Sequence, residues 1–254
     1  MSHDDYTNLL SQVQAGDRQA LAKAITVIEN TGAAFNLAKN EKPAQVIGIT
    51  GAPGVGKSTT VDALVRFIRE QKLTVAILAV DPSSPISGGA LLGDRIRLTD
   101  HFTDPGVFIR SLATRGHLGG LSVSTKAVLQ LTQSANFDFI IVETVGVGQS
   151  EVEVMRIVDT VVVVLAPGMG DGIQASKAGL LEIGDIYLVN KSDRDGAKET
   201  ASDIERSISM SAPKLVSGSP WKPPVLLGTM QTGVGVADLM SEISNHGKAL
   251  KSDG

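Results

Sequence analysis

Cysteine is absent from the 254 residues, which excludes disulfides, thiolate zinc centres and thiol catalysis and fits a reducing cytoplasm. Long apolar runs are missing as well. The longest strictly apolar stretch, residues 161–167, is far short of the ~20 residues that a membrane helix needs. The opening MSHDDYTNLL is acidic where a signal peptide would be basic, so neither a membrane span nor an export signal is expected. Positive charge is not in excess: 23 Lys+Arg face 27 Asp+Glu, a formal net charge of −4, which argues against nucleic acid or another polyanion as the main partner. The four histidines, His3, His101, His117 and His246, are scattered without metal-ligand spacing and are expected at the surface or in supporting roles.

What is present is a globular composition, 42% hydrophobic and 20% charged, of a length that suits one large α/β domain or two small ones. Glycine is enriched, at 27 residues, and collects at 48–56, 88–93, 116–120, 146–148 and 168–172, each time beside a strand-like apolar run. Such glycine keeps the loops at strand ends free of side chains. Leu9, Leu10 and Val13, then Leu21, Ile25 and Ile28, fall at helical spacing around a Gly16-Asp17 turn, predicting two helices over residues 5–39. From Gln45 onward, β-branched runs alternate with helical stretches: QVIGIT (45–50), TVAILAV (74–80), VFIRSL (107–112), DFIIVET (138–144), TVVVVLA (160–166), DIYLVN (185–190) and PVLLGT (224–229). Continuous apolar strands with long connections imply a parallel sheet covered on both faces, with its chemistry at the carboxyl ends of the strands. The segment 217–224, with Trp221 and three prolines, reads as a flexible loop before the last strand.

The first strand runs into Gly51-Ala52-Pro53-Gly54-Val55-Gly56-Lys57-Ser58, followed by Thr59 and a helical stretch. This is GxxxxGK[ST] between strand and helix, the setting in which the motif has meaning. Glycines let backbone N–H groups turn inward around a β-phosphate and the helix N-terminus adds partial positive charge. Lys57 bridges β and γ oxygens, and Ser58 offers its hydroxyl to Mg²⁺. The expected fold class is therefore α/β: a P-loop nucleoside triphosphatase with a mainly parallel central sheet, helices on both faces and a short N-terminal helical extension. We divide it into an extension over residues 1–42 and a nucleotide-binding domain over 43–254.

A P-loop enzyme also needs a carboxylate at a neighbouring strand end to hold Mg²⁺ directly or through water. Glu143 closes DFIIVET, with Gly146 placed to give its N–H to the γ-phosphate, and Asp81 closes TVAILAV. Between them, SGGALLGDRIRLTDHF (87–102) is a glycine-hinged segment in which Asp94 is a second metal candidate or a helix cap. Arg95, Arg97, Arg110 and Arg115 are candidates to offset transition-state charge, and Gln149 to orient the attacking water or to start a helix.

Base choice is readable in Asn190-Lys191-Ser192-Asp193, an NKxD at a strand end. An aspartate there accepts both the N1–H and the exocyclic amine of guanine. Adenine has an acceptor at N1 and no amine, and leaving Asp193 unpaired in that way discriminates by ~10⁴ or more.

With these motifs and VDPSSPISGGALLGDRIR, RSLATRGHLGGLS, VETVGVGQSE and APGMGDGIQASKAG in one order, the chain resembles the MeaB/ArgK family from about Leu10 to about Lys251. That resemblance implies a P-loop GTPase, using GTP/GDP and Mg²⁺, that gates adenosylcobalamin loading, protection or repair of an acyl-CoA mutase such as methylmalonyl-CoA mutase. It places Lys57 and Ser58 at the phosphates and Mg²⁺, Asp81, Asp94 and Glu143 in the metal and switch network, and Asn190, Lys191 and Asp193 at guanine. It marks residues 170–177 as a relay to the partner and adds the mutase's adenosyltransferase and a homodimer as candidate partners. Where such GTPases usually carry Ser-Ala, whose backbone N–H groups touch guanine O6, this chain has Gly228-Thr229, whose backbone donors are expected to serve in the same way. The family usually continues into a C-terminal dimerisation arm, and dimerisation by that arm is not expected of a chain that stops at Gly254.

Three alternatives stand beside this reading. The family's older name implies an ATP-using kinase or ATPase linked to lysine, arginine and ornithine transport, against which Asp193 speaks. A nickel-insertion GTPase would need Cys and His sites that the sequence lacks. A non-catalytic nucleotide scaffold would leave Lys57, Ser58 and Glu143 without purpose.

Overall fold

A computed structural model describes residues 3–32, 42–81, 100–113, 123–144, 155–168, 182–211 and 214–251. In chain order the elements are α1 (His3–Gln14), α2 (Arg18–Thr31), β1 (Gln45–Thr50), α3 (Lys57–Glu70), β2 (Val75–Asp81), β3 (Val107–Ala113), α4 (Val123–Gln133), β4 (Phe139–Thr144), β5 (Thr160–Leu165), β6 (Ile186–Val189), α5 (Ala197–Met210), β7 (Lys214–Val216), β8 (Ser219–Trp221), β9 (Val225–Leu227) and α6 (Val236–Lys251). Seven strands form one sheet in the order β3-β2-β4-β1-β5-β6-β9, and every pair in it is parallel. All seven sequence-predicted strands are there, with ends within about two residues of the apolar runs.

The runs are continuously apolar because both faces are covered. Along β1, Val46 joins one core cluster while Ile47 and Ile49 join the other; along β4, Ile140 and Val142 oppose Ile141; along β5, Val161 and Val163 oppose Val162 and Val164. One cluster includes residues of α1, α2, α4 and α5, and the other includes residues of α3 and α6. Removing each such Val or Ile from water contributes about 1.5–3 kcal/mol. Leu9, Val13, Leu21, Ile25 and Ile28 belong to the same cluster as one face of the sheet, so the two N-terminal helices share the sheet's core. Asp17 separates them: its carboxylate accepts from the N–H groups of Gln19 at 2.8 Å and Ala20 at 3.0 Å, capping α2. Arg18 holds that helix down, with its guanidinium 3.7 Å from the centroid of the Phe137 ring.

The amino edge of the sheet carries a polar cluster, buried at Thr160, Asp185 and His246. Asp159 accepts the Val46 N–H and Asp185 the Val161 N–H, each at 2.7 Å. Lys214 lies 2.5 Å from Asp185. His246, 1% exposed on α6, pairs through Nδ1 with the Thr160 hydroxyl at 2.9 Å and meets the edge of the Trp221 ring, 4.8 Å between centroids. Of the surface or supporting roles expected for the histidines, this one is therefore not at the surface, because two strand starts and a hairpin close over it. The stretch read as a loop over 217–224 is also corrected. Residues 214–221 form an antiparallel β7–β8 hairpin, whose two-residue turn has positive φ at Ser217 (47°) and Gly218 (74°), the backbone that matches strand twist. The Trp221 indole donates to the Asp185 carbonyl at 2.9 Å and anchors it. Among the described residues, no helix is long and apolar enough to cross a membrane.

Candidate functional site

The central strand β1 delivers its carboxyl end to the phosphate-loop sequence. Gly51 sits at φ 144°, where a Cβ would lie 2.1 Å from the Val164 carbonyl oxygen of the next strand. Gly56, at φ 100°, is the left-handed N-cap of α3, and a Cβ there would lie 2.3 Å from Asn190 Nδ2. Both positions are closed to side chains, so Ala52, Pro53, Gly54 and Val55 arch between fixed points. Val55 is buried in the core cluster that includes α3 and α6. No side chain caps α3, so its first N–H groups, at Lys57, Ser58 and Thr59, are available to an anion.

Two charged groups meet this loop. Lys57, 9% exposed, donates to the Gly51 carbonyl at 2.7 Å and the Ala52 carbonyl at 3.3 Å. Glu143, 2% exposed at the end of β4, accepts from the Ser58 hydroxyl at 2.7 Å. Its backbone lies level with Ile49 of β1 and Ala79 of β2, so the carboxylate is carried at the end of the strand next to the one that feeds the loop. A hydroxyl and a carboxylate at this distance, oxygen donors both, suit a hard cation such as Mg²⁺, which keeps water and phosphate oxygens as its remaining ligands. Among the described residues no group of three or more His, Asp or Glu side chains could hold a metal, so these two would share such an ion with the substrate.

The base-reading sequence follows β6 and is fastened to the phosphate loop. Asn190, 3% exposed, donates to the Val55 carbonyl at 2.9 Å and accepts from the Met230 N–H at 3.0 Å. Lys191, at φ 57°, donates to the Gly54 carbonyl at 2.6 Å. Asp193 is exposed and its Oδ1 accepts from the Thr229 hydroxyl at 3.2 Å. The Thr229 hydroxyl also lies 3.1 Å from that of Ser192.

Two sequence expectations change here. The Gly228 N–H donates to the Val189 carbonyl at 3.0 Å and the Thr229 N–H to the Val234 carbonyl at 2.9 Å, so neither backbone donor is open to a base. The first is a β6–β9 sheet bond and the second closes an isolated bridge; sequence could not show this, because ladder bonds belong to the backbone. The Thr229 hydroxyl instead reaches Asp193, a contact that the sequence did not reveal and whose signal was a hydroxyl side chain just after a strand end. Arg110 is also displaced from the site: it lies on β3 and pairs with Glu29 and Thr26 of α2, tying a helix to the sheet edge. Asp81 ends β2 level with Ala113. Asp94, Arg95, Arg97, Arg115, Gly146, Gln149 and residues 170–177 lie outside the described residues.

A parallel sheet with this loop after its central strand, a buried carboxylate beside it and a third strand-end loop clipped to it define a P-loop nucleotide-binding protein. A family model described as methylmalonyl-CoA mutase-associated GTPase MeaB matches residues 21–254, and the chain belongs to that family. It is 47% identical over 251 residues to a Pyrococcus horikoshii protein that carries a provisional GTPase name, covering 97% of this chain and 79% of that one. It is 38% identical over 208 residues to a fused isobutyryl-CoA mutase of Cupriavidus metallidurans, covering 78% of this chain and 19% of that one. A solved structure of an LAO/AO transport system kinase superposes with a TM-score of 0.74 at 25% identity, covering all of this chain and 78% of the other.

Proposed function

We propose that the chain hydrolyses GTP and uses the cycle to gate adenosylcobalamin loading, protection or repair of an acyl-CoA mutase. The observation that carries the nucleotide half is the clip between base-reading and phosphate-holding loops, Asn190 to Val55 and Lys191 to Gly54. It brings Asp193, whose acceptor pair matches guanine, to the loop that takes the phosphates. The mutase half is supported by the family's description and by the relative in which a homologous region is part of a mutase chain.

In the reaction, Lys57 leaves the Gly51 and Ala52 carbonyls and turns its ammonium to the β and γ oxygens, while the first N–H groups of α3 hold the β-phosphate. Ser58 and Glu143 would hold Mg²⁺, which would supply positive charge to offset the charge that develops on the phosphate oxygens. Asp193 selects guanine. Asp81, Asp94, Gly146 and Gln149 complete the reading as residues of the metal, γ-phosphate and water side.

The test is GTP turnover with and without one equivalent of an adenosylcobalamin-dependent mutase from the same source, with ATP as the paired control. GTP-selective turnover that rises with the mutase is expected. Equal use of ATP would refute the role of Asp193 and favour the kinase reading whose name the LAO/AO relative bears; selective turnover indifferent to the mutase would refute the partner alone.

A further inference from the structure

A cavity apart from the nucleotide site lies at the other end of the sheet. It measures about 640 Å³ and its walls include Trp221, Tyr187, Pro220, Pro223 and Ile208, with Lys214, Lys222, Ser209, Ser211 and Glu182 among its polar groups. Strand β6 runs from this cavity to the base-reading loop: Asp185 precedes it and Asn190 follows it, roughly 16 Å apart at 3.3 Å per residue. The two places are thus on opposite edges of one sheet.

Volume and lining are those of a small-molecule site, for which about 300–1,000 Å³ with apolar walls and a few directed polar groups is usual. The chemistry of the polar groups narrows the ligand. Lys214 donates to Asp185 Oδ1 at 2.5 Å and to the Ile183 carbonyl at 3.0 Å, which fixes its ammonium and engages two of three donors. The third can serve a guest in the cavity that this lysine lines. Asp185 offsets much of the Lys214 charge, so the attractive field comes from Lys222, exposed at the rim. Glu182 is the one carboxylate among the described lining residues; it and Lys222 are both exposed, so water screens both at a distance and Lys222 acts on an anion in direct contact with it. The apolar wall is rigid: Trp221 is held by its N–H bond to Asp185 and by the His246 ring, and it lies between Pro220 and Pro223 along the cavity.

We propose that this cavity is a second ligand site, for a small flat organic anion that rests its apolar body against Trp221 and the flanking prolines and directs its carboxylate or phosphate to Lys214 and Lys222. The site is independent of the GTPase reading and uses none of its residues.

The chain has a single tryptophan, so its indole N–H gives one resonance that reports on this wall alone. The full chain, ¹⁵N-labelled, is titrated with 2-naphthoate and with uncharged 2-naphthamide, each with and without excess GDP. A saturable shift of the indole resonance is expected, with the carboxylate bound about tenfold more tightly than the amide, a difference of about 1.4 kcal/mol. Lys222→Met, a change at an exposed position, should bring the two close to equality. GDP should leave both unchanged. Absence of a saturable shift at millimolar probe, equal binding of acid and amide, an acid preference that survives Lys222→Met, or displacement by GDP would each overturn the proposal.

Discussion

The two edges of the sheet use similar polar groups in opposite ways. At the carboxyl edge, Lys57 and Lys191 donate to carbonyls of the phosphate loop, at 2.7 and 2.6 Å, and Ser58 to Glu143 at 2.7 Å. Lys57 and Ser58 are bonded to groups that a phosphate or cation can replace. At the amino edge, Asp159 and Asp185 each accept a strand N–H at 2.7 Å, and the Asp185 side is closed by Lys214, Trp221 and His246. Those acceptors and donors have fixed backbone partners and no substrate to exchange with in the nucleotide reading. The lesson is that burial alone does not mark function. Lys57 and His246 are both buried, but only Lys57 is bonded to a loop built to receive something else.

That contrast is sharpest in Lys57→Ala. On the GTPase reading it should lower GTP turnover by about 10³-fold, the range seen when one preorganised donor to a developing charge is removed, and leave nucleotide-free stability within about 1 kcal/mol. A turnover assay paired with denaturant unfolding decides; a large stability loss would mean that Lys57 is as structural as Lys214. Asp193→Asn comes next. It should lower GTP affinity by about 10²-fold, within the 1–3 kcal/mol of a bidentate base contact, while raising affinity for xanthosine triphosphate, whose 2-oxo group the amide can donate to. Unchanged preference in competition binding would remove Asp193 from base selection.

At the other edge, Asp185→Asn should cost about 2 kcal/mol at neutral pH, since Lys214 would face a neutral partner. Burial raises the Asp185 carboxyl, but the His246 and Lys214 contacts and the Val161 N–H outweigh it and hold it below the ordinary value. A depressed carboxyl stabilises fully above its unfolded value, and that stability is lost as pH falls through the folded one. Asp159 runs the other way: burial raises it despite the Val46 N–H, so its contribution weakens as pH rises through its folded value. Unfolding free energy followed from pH 7 downward should fall less steeply in Asp185→Asn than in the parent chain. Identical slopes would show that Asp185 is not the acid-sensitive member of the pair.

Much of the carboxyl edge was legible because its requirements are written in contiguous residues. GAPGVGKS must turn a backbone around phosphate and NKSD must present one carboxylate, and both appear as short strings at the ends of apolar runs. Glu143 was legible for the same reason, as the polar end of a buried strand. The amino edge was not, since Thr160, Asp185, Lys214, Trp221 and His246 are brought together by strand order and by the hairpin and helix packed on it, which no spacing encodes. Trp221 even read as part of a loop, because three prolines suggested irregular chain, whereas of the three Pro220 alone falls in a strand, opposite Leu215 in the two-stranded hairpin, where both strands are edges. Arg110 was misread because an arginine near a glycine-rich stretch looks catalytic until β3 carries it to α2.

Thr229 tests whether the carboxyl edge is as loosely held as the comparison requires. Its hydroxyl donates to Asp193 at 3.2 Å and lies 3.1 Å from Ser192, so it can orient the carboxylate before a base arrives. Valine keeps the shape and removes the bond. Asp193 is exposed, and a hydrogen bond to an exposed carboxylate is worth little, so Thr229→Val should lower GDP affinity only about threefold, under 1 kcal/mol. Calorimetric titration with GDP and, in parallel, with ADP separates the outcomes. A threefold loss confined to GDP means that the incoming base supplies most of the order at Asp193. A loss beyond about thirtyfold, roughly 2 kcal/mol, would mean that the base-reading loop is preorganised by fixed protein contacts, as the amino edge is, and that only the phosphate loop exchanges partners.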